Sequence, residues 1–317
     1  MFRLTRGMKI TVNSGNIGTR VALELARLGH QITLAVRTPK PNADWDRLGI
    51  RQVPFDINDV ASMERALAGS EAFFSVTPLV QNLIEAGSRA ILAAKRAGIR
   101  KIVRVSALGA GPGTPAQLPR WHYEVERMLE TSRIPYTVLR PASFMQNYLR
   151  DGIPETIKNR NAFNSPLVDA RVSLIDARDV SSVAARVLME TGHHGRHYEL
   201  TGGESLSNEE IANFLSVALS RRINHIPITM VKTRENLLSR GKPVWEVDLL
   251  TELHAINKAG RSAIIKPDVE TILGRKPYAF QKFVRDHLSA FGAPVTQPVI
   301  PAAIVAKYQL SSSQRRL

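Results

Sequence analysis

Short runs of apolar and β-branched residues alternate along the first half of the chain with segments in which apolar residues recur every three or four positions. The strand-like runs cover residues 9–12, 31–36, 51–55, 72–76, 101–106 and 136–139. The helical spacing covers 17–28, 60–69, 79–97 and 121–131, and Gly29, Gly69 and Gly98 end three of these helices. Strict alternation of strand and helix predicts an α/β fold, a doubly wound parallel sheet with right-handed crossovers.

The regular alternation ends near residue 142. Residues 172–175 and 197–200 have strand patterns, 179–189 and 207–219 have helical patterns, and 224–291 is mainly helical. The sequence therefore predicts a sheet domain over 8–150, with additions to the sheet up to about 200. A smaller, mainly helical region over 151–291 would pack beside the carboxyl edge of the sheet and shape a substrate cleft. The tail 292–317 contains three prolines and three consecutive serines, and we expect it to be flexible.

Composition narrows the class of protein. Of the 317 residues, 44% are hydrophobic and 22% are charged, which is typical of a soluble globular chain. There is no cysteine, so disulfides, thiolate metal sites and a thiol nucleophile are excluded. No stretch approaches the ~20 apolar residues of a membrane span, and the first residues do not resemble a signal peptide. We expect a cytoplasmic protein.

The chain is strongly basic. Its 43 Lys and Arg outnumber its 28 Asp and Glu, which gives a net charge of +15. Such a charge attracts anions, including phosphorylated small molecules and nucleic acid. Nucleic-acid binding is nevertheless an unfavoured hypothesis, because the basic residues are dispersed and no dense Lys/Arg block is present.

A glycine-containing turn between the first strand and the first helix is the main candidate for a ligand site. It contains Asn13, Ser14, Gly15, Asn16, Ile17 and Gly18. Backbone N–H groups at a helix N-terminus favour a phosphate. Gly15 would let the backbone approach a diphosphate, and Gly18 would let the helix pack closely on the strand. The turn therefore predicts a dinucleotide site.

Further cofactor contacts are expected at the carboxyl ends of the other strands, which line the ligand crevice of such a sheet. Arg37 and Lys40 follow the second strand, where a basic residue suits a 2′-phosphate, so they favour NADP(H) over NAD(H). The alternative is an arginine that is merely solvated. Further candidates are Asp56 at the adenine, Thr77 and Pro78 at a ribose, and Pro141 and Phe144 over the nicotinamide. Asp56 could equally be a turn residue, and Phe144 could equally belong to the core.

Motifs in the expected order make the chain resemble an NmrA-like member of the atypical short-chain dehydrogenase/reductase group from about residue 8 to 291. They are GNIG (15–18), AVR (35–37), VTPL (76–79), IVRVSALGA (102–110), RWH (120–122), LRP (139–141), FMQN (144–147), IDARDV (175–180) and YELTG (198–202). The resemblance implies a Rossmann-type fold with a small C-terminal region and NADP(H) binding. It also implies either reduction of a quinone or imine, or redox sensing.

Two departures from the family pattern affect these expectations. The family's glycine turn usually has three glycines, whereas an ungapped alignment puts Val12 at the first. A β-branched residue resists a glycine conformation, so dinucleotide affinity could be weakened or the loop rerouted. A typical short-chain dehydrogenase also carries Tyr four residues before Lys. This chain has His122 and Glu126 in their place, a replacement that is common among NmrA-like members.

His122 is the leading candidate proton donor, because its ordinary pKa suits neutral chemistry, and Tyr123 or Ser106 would assist. The alternative is that His122 only packs beside Trp121. Three histidines at 193, 194 and 197 invite a metal hypothesis, but no carboxylate lies at a ligand spacing and we expect no metal.

Three functional hypotheses follow. The first is an NADP(H)-dependent reductase of a small electrophile, a quinone or a conjugated carbonyl or imine. The second is a non-catalytic NADP(H) sensor that binds a protein partner. The third is a degenerate member with weak dinucleotide binding. The sequence names neither the substrate nor the oligomeric state.

Overall fold

The structure is a computed structural model that describes residues 7–292. The chain forms two compact units. Unit 1 contains residues 7–142, Ala177–Gly202 and Lys266–Pro277, and unit 2 contains Ser143–Asp176, Gly203–Ile265 and residues 278–292. The sequence predicted a boundary near 150 with additions to the sheet up to about 200. In the structure the chain returns twice to unit 1, and the second return, Lys266–Pro277, was not predicted.

Unit 1 is built on a seven-stranded sheet in which every pairing is parallel. Its strands are β1 (Lys9–Asn13), β2 (Gln31–Val36), β3 (Arg51–Pro54), β4 (Ala72–Ser75), β5 (Lys101–Val105), β6 (Tyr136–Pro141) and β8 (Arg196–Leu200). Their order is β3-β2-β1-β4-β5-β6-β8. The strand order reverses between β1 and β4, and such a switch point opens a crevice at the carboxyl ends of the strands.

The helices of unit 1 connect these strands. They are α1 (Asn16–Arg27), α2 (Ala43–Arg47), α3 (Val60–Leu67), α4 (Leu83–Arg96), α5 (Gln117–Thr131), α7 (Ala177–Met189) and α11 (Asp268–Leu273). One buried cluster joins Phe73 and Ile102 of the sheet to Leu67, Ala93 and Leu129 of the helices α3, α4 and α5. This apolar layer holds α5 against the sheet and so fixes the side chains that α5 brings to the carboxyl edge.

Unit 2 is mainly helical. It contains α6 (Ile153–Arg160), β7 (Ala162–Ser165), α8 (Asn208–Leu219), β9 (Asn224–Pro227), α9 (Met230–Ser239), α10 (Val244–Lys258) and α12 (Phe280–Asp286), and β7 pairs with β9 in parallel. Phe163, Phe280, Phe283 and Phe291 are fully buried in its core. Ser207 and Glu210 form a capping box that starts α8.

Several element boundaries differ from the predicted ones. The helix predicted over 79–97 begins at Leu83, because Val76 donates its N–H to Asn13 Oδ1 and Arg104 donates to Thr77, which keeps this segment along the sheet edge. Residues 172–175 contribute only isolated bridges rather than a strand. Four short elements, α2, α6, β7 and β9, were not predicted. The predicted flexible tail lies outside the described residues from 293 onward.

The helical pattern over 179–189 begins at Asp179, which predicts a helix N-cap at that residue, and the structure contradicts this prediction. The helix α7 already begins at Ala177, so Asp179 lies inside its first turn and is fully buried. Its carboxylate accepts from Arg275, with an Nη1–Oδ1 distance of 2.7 Å. The helices of residues 7–292 include none with both the length and the apolar character to cross a membrane.

Candidate active site

The turn between β1 and α1 has the backbone geometry of a phosphate-binding loop. Gly15 has φ +118°, a conformation that side chains rarely adopt, and it precedes the first residue of α1. A Cβ built on Gly18 would lie 1.6 Å from the carbonyl oxygen of Asn13, so only glycine fits there. No side chain within the described residues caps α1. The first-turn N–H groups are therefore available to an anion.

Val12 does not disturb this turn. It is fully buried inside β1, where it pairs with Leu34 on one side and Phe74 on the other. It is not among the residues with positive φ, so no glycine conformation is required of it. The strand continues to Asn13, and the Ser14 N–H then donates to Ala35 O over 2.9 Å. The turn is open at its glycine, because a Cβ on Gly15 would meet no atom within 4 Å.

Arg37 and Lys40 lie just after β2 and both are exposed. The amide of Gln52 from β3 fixes the loop, because it accepts from Lys40 N at 3.1 Å and donates to Lys40 O at 2.5 Å. Among residues 7–292, Arg37 makes neither a hydrogen bond nor an ion pair. Two cations thus stand at this strand end without an acidic neighbour in the loop sequence RTPK.

Asp56 lies after β3 at the same edge of the sheet. Its Oδ1 accepts from Asn58 N at 2.8 Å, which makes it a turn residue, as one of its two interpretations held. The side chain is exposed, so a contact with adenine stays a prediction.

Thr77 and Arg104 are joined at the ends of β4 and β5. Arg104 Nη1 donates to Thr77 Oγ1 at 3.1 Å, and Thr77 is half-buried while Pro78 beside it is exposed. Arg104 itself is 1% exposed. Burial lowers the pKa of its guanidinium to about 10, against an opposing effect of Glu126, so it stays charged at neutral pH.

Glu126 is the centre of a buried polar cluster between α5 and the sheet. Arg140 of β6 binds it with two hydrogen bonds, Nε to Oε1 at 3.1 Å and Nη2 to Oε2 at 2.5 Å. Ser106, after β5, donates to the same Oε1. The glutamate is 0% exposed. The carboxylate that replaces the usual lysine is therefore held by a guanidinium and a hydroxyl, and the assisting role of Ser106 in proton donation stays a prediction.

His122 occupies α5 one turn before Glu126 and is buried, with 8% of its surface exposed. Burial and the nearby charge of Arg104 lower its pKa to about 3. The pKa thus departs from the ordinary value on which the expectation of proton transfer rested, and the imidazole stays neutral well below pH 7. Tyr123, the next residue, is half-buried. The catalytic roles of His122 and Tyr123 stay predictions.

Pro141 and Phe144 belong to different units. Pro141 ends β6, is buried, and its carbonyl accepts from Leu108 N at 2.9 Å. Phe144 belongs to unit 2, where it forms a bridge with Ile175. Their contacts with a nicotinamide stay predictions.

The three histidines of the 193–197 turn make different kinds of contact. His193 faces Tyr198 and Glu190, His194 Nδ1 accepts from Tyr136 N, and His197 packs edge-on against Tyr136. Within residues 7–292 no group of three or more His, Asp or Glu side chains is arranged to hold a metal.

Arg104 and Arg140 are the site residues that sequence reasoning missed. Both had been quoted only as parts of motifs. The available signal was a charged residue inside an apolar strand of a parallel sheet, as in KIVRV, because a buried arginine needs a partner or a function.

A dinucleotide fits the residues of unit 1. The glycine turn offers open backbone at a helix start, and two exposed cations stand at the next strand end. The fold and this turn define a Rossmann-type α/β protein. Residues 8–262 match the sequence pattern of the NmrA-like family, and the chain belongs to that family.

One relative and two solved structures show what this chain is similar to. The NAD(P)H azoreductase of Xenophilus azovorans is 31% identical over 280 residues, which are 88% of this chain and 97% of that protein. The structure of an NADPH-dependent quinone oxidoreductase from Escherichia coli, complexed with NADPH, is 26% identical with a TM-score of 0.78, covering 88% of this chain and 99% of that one. NmrA, a negative transcriptional regulator in complex with NAD, shares the fold at 18% identity and a TM-score of 0.71, covering 96% and 98%.

Proposed function

We propose that this protein is an NADP(H)-dependent oxidoreductase that reduces a small, flat electrophile, a quinone or a conjugated carbonyl or imine. The observation that carries the proposal is the turn in which Gly18 packs on the Asn13 carbonyl and Gly15 has φ +118°. Relatives named as an NAD(P)H azoreductase and an NADPH-dependent quinone oxidoreductase support this choice of chemistry.

Each strand end of unit 1 would hold one part of the cofactor. The turn over 14–18 would bind the diphosphate through backbone N–H groups. Arg37 and Lys40 would bind the 2′-phosphate, which is the reason to prefer NADP(H). Thr77 would lie at the ribose that adjoins the nicotinamide, and Pro141 at the nicotinamide end. A bound nicotinamide supplies hydride chemistry, while the protein orients it and excludes water.

The proton that completes the reduction would come from water. His122 is neutral and buried, so it is not an acid at pH 7 in this proposal, and Arg140 and Ser106 occupy the carboxylate oxygens of Glu126. Reduction of a quinone or azo compound tolerates this, because its reduced anion is basic enough to take a proton from solvent.

The test is consumption of NADPH with a panel of acceptors: a quinone, an azo dye, a conjugated enone and an imine. We expect turnover of at least one of them, a lower rate with NADH, and retained turnover in His122→Ala. Failure of every acceptor would sink the proposal.

A second candidate function is a non-catalytic NADP(H) sensor with a protein partner. The observation in its favour is that the α5 positions of the usual Tyr and Lys carry a neutral histidine and a fully paired glutamate. It predicts that NADPH binds in calorimetry, that no acceptor is reduced, and that partner affinity changes with the nucleotide.

A further inference from the structure

Arg104 lies inside unit 1 with two hydrogen-bond donors unused. Its Nη1 donates to Thr77, but Nε and Nη2 are buried and no described residue accepts from them. An unpaired donor costs free energy when water is excluded, and an unpaired charge costs more. A feature that opposes folding in this way calls for a functional explanation.

The charges around Arg104 do not balance. Two guanidinium groups, Arg104 and Arg140, share one buried carboxylate, Glu126. Arg140 takes both oxygens of that carboxylate, whereas within residues 7–292 no carboxylate oxygen lies within ion-pair distance of Arg104. His122 adds no charge at pH 7, because burial and Arg104 lower its pKa to about 3. Among the described residues Arg104 therefore has no carboxylate in direct contact, although Glu126 lies near enough to oppose the lowering of its pKa.

Thr77 connects the charge of Arg104 with the ligand crevice. It follows β4 at the carboxyl edge of the sheet, it is half-buried, and its oxygen accepts from Arg104 at 3.1 Å. A hydroxyl that accepts from a cation keeps its own proton to donate, and polarisation strengthens that second hydrogen bond. Arg104 and Thr77 together thus form an electropositive donor at the strand ends.

We propose that Arg104 is a positioning residue for the reduction, whose charge, acting through the Thr77 hydroxyl, stabilises the negative charge that the electron acceptor gains with the hydride. This inference rests on the proposed function. The acceptor receives a hydride, whose electron pair forms the new bond to hydrogen. The π bond of the acceptor breaks, and the π electron pair moves to an oxygen or nitrogen of the acceptor. The acceptor is reduced by two electrons, the nicotinamide is oxidised by two, and water then protonates the anion.

Stability and anion binding distinguish the proposed role of Arg104 from a purely structural one. If Arg104 served only to hold the fold, Arg104→Met would lower stability and leave ligand preference unchanged. If it serves the anion, the same substitution removes an unpaired buried charge, so stability is kept or increased while anion affinity falls.

The experiment measures the binding of two flat rings to protein saturated with NADP⁺, which cannot reduce them. 4-Nitrophenolate is an anion that mimics a reduced quinone, and nitrobenzene is a neutral control of nearly the same shape. In Arg104→Met we expect the Kd of nitrophenolate to rise about tenfold, the effect of one charge at a distance of several ångströms. The Kd of nitrobenzene stays unchanged. The visible absorption band gives a second readout, since wild type holds the phenolate form at a lower pH than Arg104→Met does.

Three further variants complete the design. Arg104→Lys keeps the charge and should behave as wild type, while Thr77→Val removes the connecting hydroxyl and should raise the nitrophenolate Kd about threefold. Arg100→Met removes an exposed arginine, 76% exposed, and controls for the overall net charge. A nitrophenolate-to-nitrobenzene ratio that is equal in wild type and Arg104→Met, or no binding of nitrophenolate to wild type, overturns the inference.

Should Arg104→Met fail to fold, the Thr77→Val ratio decides, and an unchanged ratio overturns the inference. Loss of the proposed function has a separate signature, the absence of turnover with every acceptor.

Discussion

Gly18 of α1 lies directly against the backbone of Asn13 in β1, so that a Cβ on Gly18 would be 1.6 Å from the Asn13 carbonyl oxygen. Because that oxygen belongs to backbone, it cannot move away as a flexible side chain would. We expect Gly18→Ala to lower the free energy of unfolding by about 3 kcal/mol and to weaken NADPH binding at least tenfold. Urea denaturation and calorimetry measure the two effects.

Gly111→Ala is the matched control for this substitution. Gly111 has no atom within 4 Å of an added Cβ, and its φ is not positive. Its stability and affinity should stay within about 0.5 kcal/mol of wild type. Equal behaviour of the two alanine variants would show that the close approach of α1 to β1 has no part in binding.

Arg37 is expected to set the preference for NADP(H). Replacing this exposed arginine by serine removes a charge-assisted hydrogen bond to the 2′-phosphate and should raise the Kd of NADPH about tenfold. The Kd of NADH, which has no 2′-phosphate, should stay constant. Arg47→Ser, at an arginine that is 77% exposed on α2, serves as control. An equal loss for both nucleotides would contradict the assignment.

The Glu126–Arg140 pair is expected to stabilise unit 1. In Glu126→Gln the partly buried guanidinium of Arg140 loses its partner, which should cost about 3 kcal/mol of unfolding free energy. The double variant Glu126→Gln/Arg140→Met should lose less than the sum of the single variants, because both charges are then removed. Glu124→Gln, at an exposed position of α5, is the control. Strictly additive losses would argue against a direct pair.

The buried His122 gives the stability a predictable dependence on pH. Its pKa is lowered from 6.5 to about 3 in the folded state, so between these values the unfolded chain binds a proton that the folded chain does not. The free energy of unfolding should therefore decrease as the pH falls from about 6.5 toward 3. In His122→Gln this slope should be shallower by roughly 1 kcal/mol per pH unit.

Urea denaturation at several pH values measures this slope. Above about pH 8 His122 is neutral in both states, so the difference between wild type and His122→Gln should be constant there, which is an internal control. If the unfolding free energies of wild type and His122→Gln changed in parallel below pH 6, the surroundings of His122 would not lower its pKa in the folded state.

The hydrophobic pattern was sufficient to predict the sheet, because each buried strand is an apolar run between glycine or helix signals. All six strands predicted in the first half of the chain are present in a parallel sheet, as is the one predicted over 197–200, whereas residues 172–175 form only isolated bridges. The pattern failed where tertiary contacts decide, as at Asp179, which looks like a helix cap but pairs with Arg275 far along the chain. Four-residue elements such as β7 and β9 are too short for their hydrophobic residues to show a recognisable period in the sequence.

The site was predicted less completely than the fold. Gly15 and Gly18 could be assigned from the strand–turn–helix context alone. The state of His122 could not, because its pKa depends on burial and on Arg104, which is 18 residues away in sequence and on another element. Likewise, nothing local to Glu126 reveals that Ser106 and Arg140 occupy its oxygens.

The hydrogen bonds that Ser106 and Arg140 make to Glu126 also restrict which parts of this protein can change between homologous chains. Side chains from the ends of β5 and β6 hold one carboxylate of α5, so a shift of that helix by even one residue would break every one of these bonds at once. The position of α5 is consequently fixed. New substrate preferences in homologous chains should therefore arise from changes in the loops around α5 rather than from movement of this helix.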